Sequence, residues 1–232
     1  MSEPLFWQQL PVKLSYSERK TIALYVKDSQ IEIRAPLGTP DHFVQDFLAT
    51  KTAWLEKTLA QQRLQLGQRV DYRQASQIPF MGFNVRLIRA EAASPSWQFD
   101  VAGLKCNIPD ESDSAILPLL SDFYQQQAKF WLVKKTNDLA KMLDLQKRLS
   151  DIRFRRTKTK WGHCTNQGRI QYNWQIMMAP ESVIDYLVAH EVCHLQHLNH
   201  SRAFWHLVHH AHPNFNHDRR WLRDNGHRLR LA

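Results

Sequence analysis

An α+β fold, with a β-rich N-terminal subdomain carrying one long helix and a mainly helical C-terminal domain carrying a short sheet, is what this sequence predicts. Three observations carry that expectation. Short β-branched and aromatic runs, punctuated by Gly82 and Gly103, crowd the first half of the chain. Long stretches with apolar residues at helical spacing take over in the second half. Composition is that of a globular chain: 43% hydrophobic and 23% charged residues exclude collagen, low-complexity disorder and coiled coil. A length of 232 residues can bury a sizeable core without staples. Cys106, Cys164 and Cys193 are too few, and odd in number, for a disulfide framework, so a reducing cytoplasm is expected. Neither a signal peptide after Met1 nor a membrane-length apolar window is visible, so no membrane partner is expected.

The elements follow in order. Thr21–Val26 and Gln30–Ala35 are β-rich runs around Lys27-Asp28-Ser29, a plausible hairpin. Thr39 reads as an N-cap with Pro40 at the first helical position. Phe43, Val44, Phe47, Leu48, Trp54, Leu55 and Leu59 then predict one helix from about Pro40 to Leu64. Further β runs lie at Gln77–Phe80, Asn84–Arg89, Ser96–Val101 and Leu104–Ile108. The polar break 109–114 is the expected domain boundary, dividing residues 1–113 from 114–232. A helical stretch from about Ala115 to Leu149 follows. Arg169–Met178 reads as a strand, and Pro180 with Glu181 opens another helix whose core face is Val183, Ile184, Leu187 and Val188. No internal repeat is visible.

Charge and histidine are unevenly distributed. Of the net charge of +9, residues 1–145 contribute +1 and residues 146–232 contribute +8. Ten of the 12 histidines lie between His190 and His227, so the chemistry is sought at that end. There, His190-Glu191-Val192-Cys193-His194 falls on the predicted helix. His190 and His194 are one turn apart on one face, a spacing that lets two imidazoles reach one metal ion. Glu191 lies about 100° round the helix, too far to ligate but within reach of a water at the metal. Chance alone would produce this pattern about 0.02 times in such a chain. His200 is the expected third ligand, provided the helix ends near His197–Asn199 and the chain folds back. His197, on the ligand face three residues after His194, competes for that role. Cys193 points away from the ligand face and reads as a small core hydrophobe. His206, His209, His210, His212, His217 and His227 read as surface residues, and Trp161, Phe204 and Trp205 as core.

The stretch Tyr186–Trp205, YLVAHEVCHLQHLNHSRAFW, is similar to the signature of the YgjP-like bacterial metallopeptidases, relatives of the SprT and Spartan proteases in the zincin group. Trp161-Gly162-His163-Cys164, the segment Asn173 to Pro180, and Arg219-Arg220-Trp221-Leu222 match further marks of that family. The likeness is loose over the whole chain and close over residues 153–222. It departs at His163, where the family carries a small hydroxyl residue. The resemblance implies a zinc-dependent peptidase with one Zn2+ per chain and a peptide or protein substrate. Three imidazoles leave one zinc position open for chemistry, and Glu191 is the expected general base. His163, Tyr172 and Arg220 are the candidates for stabilising the transition state. A strand before the active-site helix lines the cleft in zincins, so Gln171, Tyr172, Asn173 and Trp174 are expected to pair with an extended substrate.

A different class of function competes. Lys147 to Lys160 holds seven Lys/Arg against one Asp, and Arg153, Arg155 and Arg156 flank Phe154. Such a stretch suits salt-dependent nucleic-acid contact by a catalytically inactive protein with a structural zinc site. Glu191 discriminates, because a structural site needs no carboxylate beside its ligands and closes all four positions. A fourth ligand from Cys164 or His163 would favour the second class.

Overall fold

The computed structural model describes residues 4–27, 29–67, 70–109 and 115–231. The chain divides into two compact units, Met1–Arg69 and Val70–Ala232.

In the first unit β1 (Phe6–Trp7) and β2 (Leu10–Ser17) form a tight hairpin, followed by β3 (Ala23–Lys27) and β4 (Gln30–Pro36). The sheet order is β1-β2-β4-β3, with β2 parallel and β3 antiparallel to β4. The predicted β3–β4 hairpin is present, although Asp28 of its turn lies outside the described residues. Alternation along β4 buries Ile31, Ile33 and Ala35 on one face. The expected single helix is two, α1 (Asp41–Thr50) and α2 (Thr52–Gly67), broken at Lys51, which has φ −101° and ψ 6°. Val44 and Leu48 of α1 and Leu55 and Leu59 of α2 all join one core with Trp7, Val12, Ile31 and Ile33. Thr39 is not the cap: its hydroxyl donates to the Pro36 carbonyl, and Pro40 itself precedes the first turn.

The second unit opens with β5 (Gln77–Phe80), β6 (Phe83–Glu91), β7 (Ser96–Asp100) and β8 (Gly103–Ile108), in the order β5-β6-β8-β7. Here the structure corrects the sequence, for this is the first sheet over again. Again the first two strands form a tight hairpin, the second and fourth are parallel, and the third returns antiparallel. Trp7↔Leu10 and Phe80↔Phe83 close the two hairpins, and Gln8 (φ 54°) and Met81 (φ 50°) hold the same left-handed turn position. Ile31, Ile33 and Ala35 are buried as Leu104, Cys106 and Ile108 are. Only the parallel register differs: Leu14 faces Ile33 in one sheet, whereas Leu87 faces Leu104 in the other. Few identities survive at matched positions, so the repetition is hidden in the amino acids and visible in the pairing.

After β8 comes α3 (Ile116–Met142). Residues 110–114 of the expected boundary lie outside the described residues. The compact units part earlier, at Arg69, because β5–β8 share a core with α3: Phe123 packs on Phe80, Trp97 and Phe99 at centroid distances of 5.4, 5.3 and 5.1 Å. The predicted continuation of α3 to Leu149 fails at Asp144, whose φ of 55° turns the chain and lets Leu145 fold back into the core.

A three-stranded sheet follows, from β9 (Asp151–Arg155), β10 (Gly162–Cys164) and β11 (Arg169–Asn173), in the order β10-β11-β9. The predicted strand to Met178 stops at Asn173, whose side chain accepts from the Gln175 N–H at 3.1 Å and starts a buried 3₁₀ turn, Trp174–Met178. Three helices complete the unit: α4 (Glu181–Cys193), α5 (Arg202–Ala211) and α6 (Phe215–Asn225). Buried Asp218 ties α6 to the start of α4, accepting from the Ser182 hydroxyl at 3.1 Å and pairing with His212 at 2.6 Å and His217 at 3.0 Å. No helix among the described residues is long and apolar enough to cross a membrane. The three cysteines are buried and unbridged.

Candidate metal centre

α4 enters the core on an apolar face, with Val183, Ile184, Leu187 and Val188 buried as the sequence predicts. It ends at Cys193, leaving His194 as its C-cap. The chain then turns, and Ser201 starts α5 by accepting from the Phe204 N–H at 3.3 Å. That turn is the fold-back required for His200 to return to the ligand face. The Nε2 atom of His190 lies 3.3 Å from that of His194 and 3.1 Å from that of His200. Among the described residues, these three histidines are the group whose ligand atoms gather within 4.8 Å of one another.

Zinc–nitrogen bonds of about 2.0–2.1 Å in a tetrahedron place ligand nitrogens about 3.4 Å apart. The observed separations are close to that, so the residues fit the ion. Protonation agrees. Burial, then the neighbouring histidines and Arg219, push His190 down to about 3, and burial lowers His194. Imidazoles held neutral keep their lone pairs for a metal. The His194 Nδ1–H donates to the His197 carbonyl at 2.9 Å, which leaves the Nε2 lone pair available to a metal. His197 thus serves the site through its backbone, while its ring stays outside the group.

Aromatic rings pack on the three histidines. Phe204 stacks on His194 at 4.5 Å and 25°, and Trp205 stacks on His200 at 5.5 Å and 20°. Tyr186, one turn before His190, meets that ring edge-on at 5.9 Å. The Arg219 guanidinium lies 4.6 Å from the centroid of the Trp205 ring. Sequence reasoning placed Trp205 in the core and chose the neighbouring Arg220. Trp205 is half-buried and packed against the core, and the arginine that lies on its ring is Arg219. No periodicity in the sequence separates these two arginines; the face of α6 does.

Glu191 is buried beside the site at 3% exposure, and its Oε2 has no hydrogen-bond partner among the described residues. Burial pushes its carboxyl up to about 8, with the charge of Lys160 opposing. Gly162 on β10 makes room for it, since a Cβ there would collide with the Glu191 carboxylate.

Other predicted site residues fall elsewhere. Tyr172 is fully buried, its hydroxyl 2.9 Å from that of Thr136, so no substrate reaches it. Gln171, Tyr172 and Asn173 lie on β11, which is paired on both edges, and Trp174 begins the buried 3₁₀ turn. The edge strands of this sheet are β9 and β10, and His163 is exposed on β10. Cys164 is buried, donates to the Thr165 carbonyl and stands outside the histidine group; burial pushes its thiol up to about 12. In the basic stretch, Arg153 pairs with Asp151 at 2.7 Å and Arg156 donates to the Leu231 carbonyl at 2.5 Å. Arg155 is exposed, whereas Phe154 turns inward and stacks on Tyr172 at 6.5 Å.

A family model described as YgjP-like, metallopeptidase domain, matches residues 20–225. Against curated proteins the chain has no match.

Proposed function

The chain belongs to the YgjP-like metallopeptidase family, and from that premise we propose that it is a zinc-dependent peptidase of the cytoplasm, with His190, His194 and His200 holding one Zn2+ and Glu191 as general base. The convergence of three Nε2 atoms at zinc-like spacing carries this reading. Zinc, when bound, supplies a Lewis acid that polarises the scissile carbonyl and favours water as nucleophile near neutral pH. The remaining work belongs to side chains. Glu191 takes a proton from the attacking water as the C–O bond forms, and returns it to the amine as the C–N bond breaks. Burial lifts this carboxyl to about 8 in the metal-free protein, and a bound dication would favour its carboxylate form, the form a base requires. Gly162 keeps that carboxylate close to β10.

Of the two edge strands, β10 (Gly162–Cys164) is the one that lies against Glu191, and we assign to it the pairing with an extended peptide. Exposed His163 on that edge and Arg219 against Trp205 are the groups we assign to the developing oxyanion. The competing nucleic-acid reading loses support. Its stacking aromatic packs inward, two of its three arginines are engaged within the protein, and the metal-capable group has three members rather than a closed four.

Metal analysis and a peptide-hydrolysis assay on one preparation test the proposal. Wild-type protein should carry about one zinc per chain, and the His190→Ala/His194→Ala variant none. Glu191→Gln should keep the zinc and lose hydrolysis by at least about 100-fold. Equal metal in both histidine states, or undiminished turnover in Glu191→Gln, would reject it.

A further inference from the structure

The repeated four-stranded module is used in two different ways, and the difference points to a binding site. In Val70–Ala232 the turn between β5 and β6 grips its own chain. The Met81 N–H donates to the Met177 carbonyl at 2.9 Å, and Gly82 lies against Pro180. The 3₁₀ segment Trp174–Met178 thereby fills the crook between that turn and α3, packing against both β5 and α3. Its side chains are all buried.

In Met1–Arg69 the turn between β1 and β2 has the same length and the same left-handed residue, Gln8 in place of Met81. The helix at its side is α2. Between them, where the 3₁₀ segment sits in the repeat, there is an open niche of about 450 Å³. Trp7, Gln8, Gln9 and Leu10 line it from the turn, and Glu56, Leu59, Ala60 and Arg63 from α2. The four α2 residues are spaced i, i+3, i+4, i+7, a single helix stripe with an apolar middle and one charge of each sign at its ends.

We propose that this niche takes a polypeptide segment with adjacent apolar side chains, presenting a backbone carbonyl to the Gln8 N–H as Met177 presents one to Met81. Charge favours this occupant. The rim carries one carboxylate, Glu56, which accepts from the Gln8 side-chain amide at 3.3 Å, and one guanidinium, Arg63, so it selects neither an anion nor a cation and suits an uncharged backbone. The floor of Trp7, Leu10 and Leu59 supplies the apolar contact that Met177 and Met178 receive in the repeat. The inference is independent of the peptidase reading, since it concerns capture of a chain and not its cleavage.

The probe is a labelled peptide with the sequence of residues 172–180, YNWQIMMAP, capped at both ends and titrated into the full-length protein by fluorescence anisotropy. Saturable binding with one site per chain is expected. It should persist in His190→Ala/His194→Ala, weaken at least about tenfold in Ala60→Trp and in Ala60→Glu, and stay unchanged in Lys57→Trp, which alters α2 outside the niche. Melting curves identify which Ala60 variant is folded, and one suffices. Binding indifferent to folded Ala60 variants, or no saturable binding, overturns the proposal. Loss of binding in the histidine variant overturns it too, by placing the peptide at the metal centre. Self-association abolished by Ala60→Trp, without peptide binding, would assign the niche to a second copy of this chain and likewise overturn it.

Discussion

His197 and His200 differ by three positions and by role. The ring of His200 joins the ligand group, whereas His197 offers its carbonyl to His194. Replacing His200 with Ala should weaken zinc binding by at least about 100-fold in a competitive chelator titration, since the proposed third ligand is removed outright. His197→Ala keeps the carbonyl and should stay within about threefold of wild type. Glu191 makes a pH prediction for the metal-free protein. Its folded pKa is raised to about 8, above the ordinary 4.5, so between those values the unfolded chain ionises it while the folded chain holds it neutral. Stability from this group is therefore present below about pH 4.5 and is lost as pH rises toward 8. Glu191→Gln removes that loss. Its melting temperature relative to wild type should climb from pH 4.5 to 8 and then level off, and a difference independent of pH would contradict the assignment.

At the scale of elements, the metal centre depends on where helices stop. α4 must end at Cys193 and α5 must begin after Ser201 for His200 to meet His190 and His194. The Ser201 hydroxyl caps α5, so Ser201→Ala should cost about 1 kcal/mol. For a unit of this size that is about 2–4 °C of melting temperature, with a smaller loss of zinc affinity through the misplaced neighbour His200. Unchanged stability and zinc affinity together would show that the cap does not set the turn. The existence and face of α4 were legible in the sequence because Pro180, Glu181 and the apolar spacing act locally. The end of β11 was not. Ile170, Tyr172, Trp174 and Ile176 alternate as a strand should, but the Asn173 side chain captures the Gln175 N–H and converts the remainder to a 3₁₀ turn. Periodicity reports burial, and a buried turn satisfies it as well as a strand does.

For the whole molecule, the two cores share no residue. One is built on Trp7, Val12, Ile31, Ile33 and the α1–α2 face, and the other runs from Tyr72 to Leu231. Residues 70–232 expressed alone should therefore fold cooperatively and carry zinc like the full chain. A fragment without a melting transition or without metal would show that the first unit completes the second. The same division explains why a boundary at 113 looked natural. The chain is polar there, but the β5–β8 sheet belongs to the α3 core through Phe80, Phe99 and Phe123.

What the sequence by itself determined is what acts over one helical turn or one strand: the α+β class, the one-turn spacing of His190 and His194, the placement of Glu191 beside them and the need for a turn before His200. Tertiary structure alone decided which groups share a space. It laid the Arg219 guanidinium on Trp205, put β11 between β9 and β10, buried the Tyr172 hydroxyl on Thr136 and repeated one sheet topology in two units. The reason is range. Propensity, capping and periodicity are properties of neighbouring residues, whereas edge, depth and cavity exist only once distant segments have packed.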